Sequence, residues 1–265
     1  MFKGFYRAIT DYGRALDFLI KHRLLYFFLF PLLLNLILFF FGLQGVNYLT
    51  AIVEAHIFDW LSLANPDKGF LEALSEYHSY FESFLSVLIW VALKIIFFFA
   101  FSFISGYIVL VLLSPVFAYL SEKTEAILTG NQYPFIPEQF VMDVARGIYI
   151  ATRNMLIQTM LTTILLLLGL VPVVGWVVPF ILFIVAAYFY GFSFMDYSNE
   201  RNRISIKNSI HLIKKNKGVA IGNGTVFLLV LFIPFFGSII AGFIAILSVV
   251  AATISMQYIY SNNNG

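Results

Sequence analysis

Ionisable side chains are scarce in this chain, and the few that interrupt or flank its apolar runs are where any chemistry would have to reside. Glu122 and Glu125 follow a long apolar stretch, and Arg146 and Arg153 lie in the polar segment after it. Carboxylates and guanidinium groups in that pattern either close an ion pair or line a polar vestibule. Lys94 stands alone in an apolar run, near enough to its start to snorkel to an interface. His22, His56, His78 and His211 are dispersed, and only His56 and Asp59 share helical spacing, which is too few ligands for a metal site. With no cysteine there are no disulfides, thiolate nucleophiles or thiolate metal ligands. No Walker loop, dinucleotide fingerprint or nucleophile elbow occurs, and Asn223-Gly-Thr225 is an isolated glycosylation pattern. These residues predict no enzyme, no metal and no cofactor.

The elements that position these residues are apolar helices. The 265 residues are 61% hydrophobic and 11% charged, with a mean hydropathy of +0.90, far from the composition of soluble domains. A bilayer core demands about 20 consecutive apolar residues per helix, and several uncharged runs exceed that. The expected fold is an all-α integral membrane protein, a single transmembrane domain over 1–265. Phe2, Phe5, Tyr6, Ile9, Tyr12, Leu16, Leu19 and Ile20 recur at helical spacing with charges opposite, so 2–21 is predicted to be an amphipathic helix in the headgroup plane, its partner membrane lipid. Segments 24–53 and 84–120 are predicted long helices, the second reaching roughly 55 Å and so projecting beyond the membrane. Between them, 54–83 is acidic with an Asn65-Pro66-Asp67 turn, and 121–153 is a polar connector interrupted by Pro134 and Pro137. Hairpins are expected at 154–196 and 218–260. The N-terminal segment lacks the order of a cleaved signal peptide and is expected to be retained. A net charge of +2 with no basic, aromatic-interleaved stripe sets nucleic acid aside.

The two hairpins align without gaps at an offset of 62 residues. Thr163/Thr225, Leu166/Leu228, Leu167/Leu229, Pro172/Pro234 and Gly175/Gly237 match, and Arg153-Asn154 pairs with Lys215-Asn216. A shared Pro-x-x-Gly at one depth reads as an internal repeat. Neither turn carries the polar residues of a loop entering water, so the hairpins are either re-entrant or ordinary spans. Re-entry would require protein or a water cavity around the tips, hence a packed homo-oligomer or a pore. Residues 1–23 hold five Lys/Arg, 196–217 hold six and the acidic loop holds one, which predicts cytoplasmic N- and C-termini.

Four stretches resemble the CysZ-type sulfate permeases within the etoposide-induced membrane protein superfamily. They are Pro31-Leu-Leu-Leu-Asn35, Ser114-Pro-Val-Phe-Ala-Tyr-Leu-Ser-Glu-Lys-Thr-Glu125, Val171-Pro-Val-Val-Gly175, and Asp196-Tyr197 with the basic connector and Ile233-Pro234, where Ser198 replaces a family proline. The resemblance covers the chain in order. It implies two long helices, two partly penetrating hairpins and an oligomer in a bacterial inner membrane that admits sulfate or a related small oxyanion. The family's Gly-Leu-Arg-Arg before the first long helix falls on Arg23, Leu24, Leu25 and Tyr26, so its two guanidinium positions are absent here. Lys21, His22 and Arg23 stand a turn earlier as replacement anion contacts, or as a plain basic interfacial flank, and Gly175 and Gly237 mark half-helix N-termini that would favour negative charge. Asn35, Glu122, Glu125, Arg146, Arg153 and Asn154 are the pore or vestibule candidates. The contrasting expectation is a non-transport scaffold or envelope-biogenesis protein that grips anionic lipid through the same charges.

Overall fold

The computed structural model describes residues 1–63, 84, 87–88, 90–92, 94–95, 108–130, 136–233 and 236–263, and every regular element among them is helical. In chain order these are α1 (Phe2–Lys21), a 3-10 turn (Leu25–Phe28), α2 (Leu29–Leu63), α3 (Ser114–Thr129), α4 (Pro137–Leu168), α5 (Pro172–Gly175), α6 (Val178–Arg201), α7 (Ile206–Lys215), α8 (Lys217–Leu231) and α9 (Gly237–Asn263). Three stretches among the described residues are long and apolar enough to cross a membrane: Pro137–Leu168, Val178–Glu200 and Ile240–Asn262. The chain forms two compact units, Met1–Leu33 with Ser105–Gly265, and Leu34–Ile104.

Several boundaries move from their sequence reading. The helix beginning at Leu29 runs on to Leu63, so 54–63, expected as loop, is helical; the rest of that loop, and 85–86, 89, 93 and 96–107 of the segment 84–120, lie outside the described residues. The connector 121–153 is mostly helix. Proline reads as an interruption in sequence, but Pro137 occupies the first turn of α4, where its missing N–H has no intrahelical partner to lose. The helix that carries the first hairpin's rising arm therefore begins at Pro137, ahead of the uncharged stretch that starts at Asn154. The basic connector likewise folds, with α6 continuing to Arg201 and Ser205 capping α7 by accepting from the Asn208 amide at 3.3 Å.

The larger unit is organised around α8. Its sequence Lys-Gly-Val-Ala-Ile-Gly-Asn-Gly alternates two small-residue faces. A Cβ on Gly224 would fall 1.8 Å from the Ala187 carbonyl oxygen, and one on Gly191 would fall 1.8 Å from that of Ala220, so α6 and α8 cross at backbone contact through Ala187/Gly191 and Ala220/Gly224. On the other face, Gly218 and Gly222 admit the backbone of Met1 and Phe5, seating α1. Paired small residues four apart are how apolar helices gain van der Waals contact where lipid offers no hydrophobic drive.

The face of α1 built from Ala8, Asp11, Tyr12, Ala15, Phe18 and Leu19 is buried, against α8 and α9, while Phe2, Tyr6, Leu16 and Ile20 stay exposed. Asp11, assigned by periodicity to the polar face, is fully buried. It accepts from Arg14 at 2.9 Å and from Ser255 at 2.5 Å, because a buried carboxylate needs donors. Tyr12 reaches further in, with its hydroxyl 2.7 Å from both the Asn223 carbonyl and Ser248 Oγ. Asn223 is thus a core residue with no exposed surface, which rules out glycosylation there in the folded chain.

Candidate functional site

The basic flank at 21–23 sits on a sharp bend, where α1 and the stretch Leu25–Ile37 meet at 108°. The bend is made by a Schellman cap: the Arg23 amide donates to Ile20 O at 3.2 Å and the Leu24 amide to Leu19 O at 2.8 Å. Leu19 and Leu24 supply the apolar contact that accompanies the motif, both buried. The cap requires a left-handed residue, and Arg23 takes it with φ 55°. In the family pattern that place is a glycine, which adopts the conformation without strain. Lys21, His22 and Arg23 are all exposed, so the bend presents them together, with His22 resting 4.5 Å from the Phe18 ring. Tyr26, at the second lost arginine position, accepts from Lys123 Nζ at 3.0 Å. That hydrogen bond raises the Lys123 pKa and keeps it cationic. A lysine from α3 therefore brings positive charge to the place where the family pattern has an arginine.

A second polar assembly joins α3, α4, α6, α7 and α9. Arg146 grips Asp196 with Nε at 3.0 Å and a second nitrogen at 3.1 Å, and its remaining terminal nitrogen donates to Ile204 O at 2.6 Å. Ser209 also donates to Asp196, Asn199 donates to Ser209 at 2.7 Å, and Tyr260 donates to Asn199 at 2.7 Å. Arg146 thus pairs with Asp196 rather than with Glu122 or Glu125, the partners its sequence position suggested. Glu125, buried, accepts from Asn202 at 3.2 Å. The Ile204 carbonyl that Arg146 holds belongs to another Schellman cap, with Arg203 at φ 53°, Arg203 N to Glu200 O at 2.8 Å and Ile204 N to Asn199 O at 3.0 Å. This assembly clamps helix ends, and sequence gave no sign of Asp196, Ser209, Asn199 and Tyr260 as one network.

The other candidates are dispersed. Arg153 donates to Asn154 Oδ1 at 3.0 Å and lies 5.9 Å from the Phe192 ring; Asn154, fully buried, donates to Ser193 at 2.9 Å. Glu122 is half-buried on α3, and Asn35 is half-buried on α2 in the smaller unit. Lys94, in that same unit, lies 3.5 Å from the Trp90 ring centre.

At the hairpin tips, the two glycines share one geometry. Gly175 donates to Val171 O at 2.9 Å and Gly237 to Ile233 O at 2.8 Å, while Val171 donates to Leu168 O at 3.2 Å and Ile233 to Val230 O at 3.0 Å. A Cβ on either glycine would fall 2.5 Å from a carbonyl oxygen, of Gly169 and Leu231 respectively. Every one of these equivalences keeps the 62-residue offset. Only Gly237 opens a long helix; Gly175 closes α5, and the long helix after it begins at Val178.

Among the described residues no group of three His, Cys, Asp or Glu could hold a metal ion. The family model described as sulfate transporter CysZ/etoposide-induced protein 2.4 matches residues 11–241. That match covers the bend, the Arg146–Asp196 clamp and both tips, and with its apolar helices the chain is a multi-pass membrane protein belonging to the CysZ/etoposide-induced protein 2.4 family.

Proposed function

We propose that this protein moves sulfate or a related small oxyanion across the bacterial inner membrane, as a homo-oligomer with both termini cytoplasmic and without covalent catalysis. The observation that carries the reading is the length of the hairpin arms. α8 has 15 residues and rises about 22 Å, short of a hydrocarbon core of about 30 Å. In the first hairpin the uncharged arm from Asn154 to Leu168 is equally short, since α4 carries Arg153 just below it. Both tips are apolar and exposed, with Leu170, Val173, Trp176, Phe232 and Phe236 each more than half exposed. Backbone that turns at membrane depth requires neighbouring protein or a water-lined path, which favours subunits packed about a conduit. Its charge preference would come from the cationic bend at Lys21, His22, Arg23 and Lys123, by replacing an anion's hydration with charge-assisted donors. Family membership supports transport as the class of activity.

Radiolabelled sulfate uptake into liposomes containing the purified protein tests the reading, with empty liposomes as control and selenate or phosphate as competitors. Saturable, competed uptake is expected. Uptake no faster than in empty liposomes would reject it in favour of a lipid-gripping scaffold.

A further inference from the structure

A separate concentration of positive charge lies where α1 crosses the first turn of α8 and the last turns of α9. There a cleft of about 400 Å³ is lined by Lys3, Arg7, Thr10, Arg14, Asn216 and Ser255, with no carboxylate among its lining residues. Asp11 lies on the same helix but is sealed from solvent and engaged by Arg14 and Ser255. Three cations therefore face one carboxylate that is already satisfied, and the cleft keeps a net positive field.

The cleft is also preorganised for an anion. Arg7 is held by stacking rather than by a close ion pair: its guanidinium carbon lies 3.0 Å from the centre of the Tyr258 ring, while its Nε is 3.9 Å from Asp11. That Nε donates to no protein acceptor and is shielded from solvent, so the exposed remainder of the side chain, not Nε, is what an anion in the cleft can reach. Asn216, the N-cap of α8, turns its amide back onto Leu212 O at 3.0 Å and makes no side-chain cap to α8. The positive end of a 15-residue helix thus borders the cleft without a side-chain acceptor from its N-cap. Two guanidinium groups and an ammonium bordering one space are a donor set for a multiply charged tetrahedral group; the Thr10 and Ser255 hydroxyls already donate to Arg7 O and Asp11 and line the wall without adding donors.

We propose that this cleft binds a tetrahedral oxyanion group, either the phosphate of an anionic lipid headgroup or a free phosphate or sulfate ion. The site is distinct from the bend at 21–23 and stands whether or not the protein transports anions. Val219 and Ile259 complete its wall with apolar surface, so a headgroup phosphate can be held while acyl chains leave along the helices.

The full-length protein, purified and delipidated in detergent, would be titrated with phosphatidylglycerol and with phosphatidylcholine under native mass spectrometry. Inorganic phosphate and sulfate would be titrated by calorimetry against chloride at equal ionic strength. Wild type is expected to prefer phosphatidylglycerol roughly tenfold, or to bind phosphate or sulfate over chloride, and the Lys3→Gln/Arg7→Gln variant to lose roughly tenfold in that affinity. Preference for the lipid alone identifies a headgroup site, and binding of the free ions a soluble-anion site. Lys3 is exposed, so Lys3→Gln alone, expected to weaken binding roughly fivefold, decides the matter if the double variant does not fold. Wild type without preference in either assay, or Lys3→Gln binding as wild type does, overturns the proposal.

Discussion

The two hairpins share their tips and differ in their arms. At the tip, each glycine approaches a carbonyl six residues back so closely that no side chain fits, and the amides of Gly175 and Val171 donate to the counterparts of the carbonyls that Gly237 and Ile233 use, while Leu170 donates to Leu167 O and Phe232 to Leu228 O. Below the tip the repeats diverge. The rising arm of the first hairpin is one continuous helix through Arg153-Asn154, whereas that of the second breaks into α7 and α8 at Asn216. Gly218, Ala220, Gly222 and Gly224 of α8 stand where α4 has Leu156, Gln158, Met160 and Thr162. The α8 residues are buried between α1 and α6, while Leu156 and Met160 are more than half exposed. The repeat is held fixed where backbone meets backbone within one hairpin, and it is free to vary where an arm meets different neighbours.

This contrast breaks most visibly at the crossing. Gly224→Leu, whose first added carbon would sit on the Ala187 carbonyl, is expected to cost about 4 kcal/mol or more and to abolish a monodisperse peak in size-exclusion chromatography. Thr162→Leu, at the equivalent place on α4, is expected to change thermal stability by less than about 1 kcal/mol. Equal damage from both would show that the two arms are packed alike.

Asp196→Ala comes next. It strands the Arg146 guanidinium, whose side chain is only 15% exposed, and should lower stability by about 3 kcal/mol in thermal unfolding. The first hairpin's clamp to α7 would loosen, so proteolysis within 202–216 is expected to accelerate while the α1–α8 contact stays protected.

The tips give the sharper comparison. Gly175→Ala and Gly237→Ala should each cost about 1–3 kcal/mol, Gly237→Ala the more, because its Cβ would meet the Val230 carbonyl oxygen at 2.6 Å in addition to the 2.5 Å approach that both tips share. A large effect at one tip and none at the other would contradict structural equivalence.

The smallest effect has the opposite sign. Arg23→Gly should stabilise the fold by about 1 kcal/mol in thermal unfolding, since glycine takes the left-handed cap without strain. If the same variant slows sulfate uptake, the arginine is kept for its charge; if uptake is unchanged, only the cap matters.

What was legible in the sequence followed from local rules. Uncharged run length set the helical membrane class, and the Pro-x-x-Gly offset showed the repeat, because both depend on the chain's own backbone and its solvent. Asp11 and Arg146 show where those rules stop. Periodicity places Asp11 with the charges and proximity offers Arg146 the glutamates of α3, yet Asp11 is engaged by Ser255 and Arg146 by Asp196 across helices that only folding juxtaposes. Pro137 marks the interruption between α3 and α4, and only the structure shows that it opens the next helix rather than lying in a loop, because a helix's first turn and a loop make the same demand on proline. The sequence by itself determined an apolar, all-helical, twice-repeated chain with its charges gathered in connectors. The tertiary structure decided that glycine-lined α8 is the axis, that Asp196 is Arg146's partner, and that Lys3, Arg7 and Arg14 share a cleft with α9. Burial and charge pairing depend on which faces meet, and residues two hundred positions apart meet only through packing.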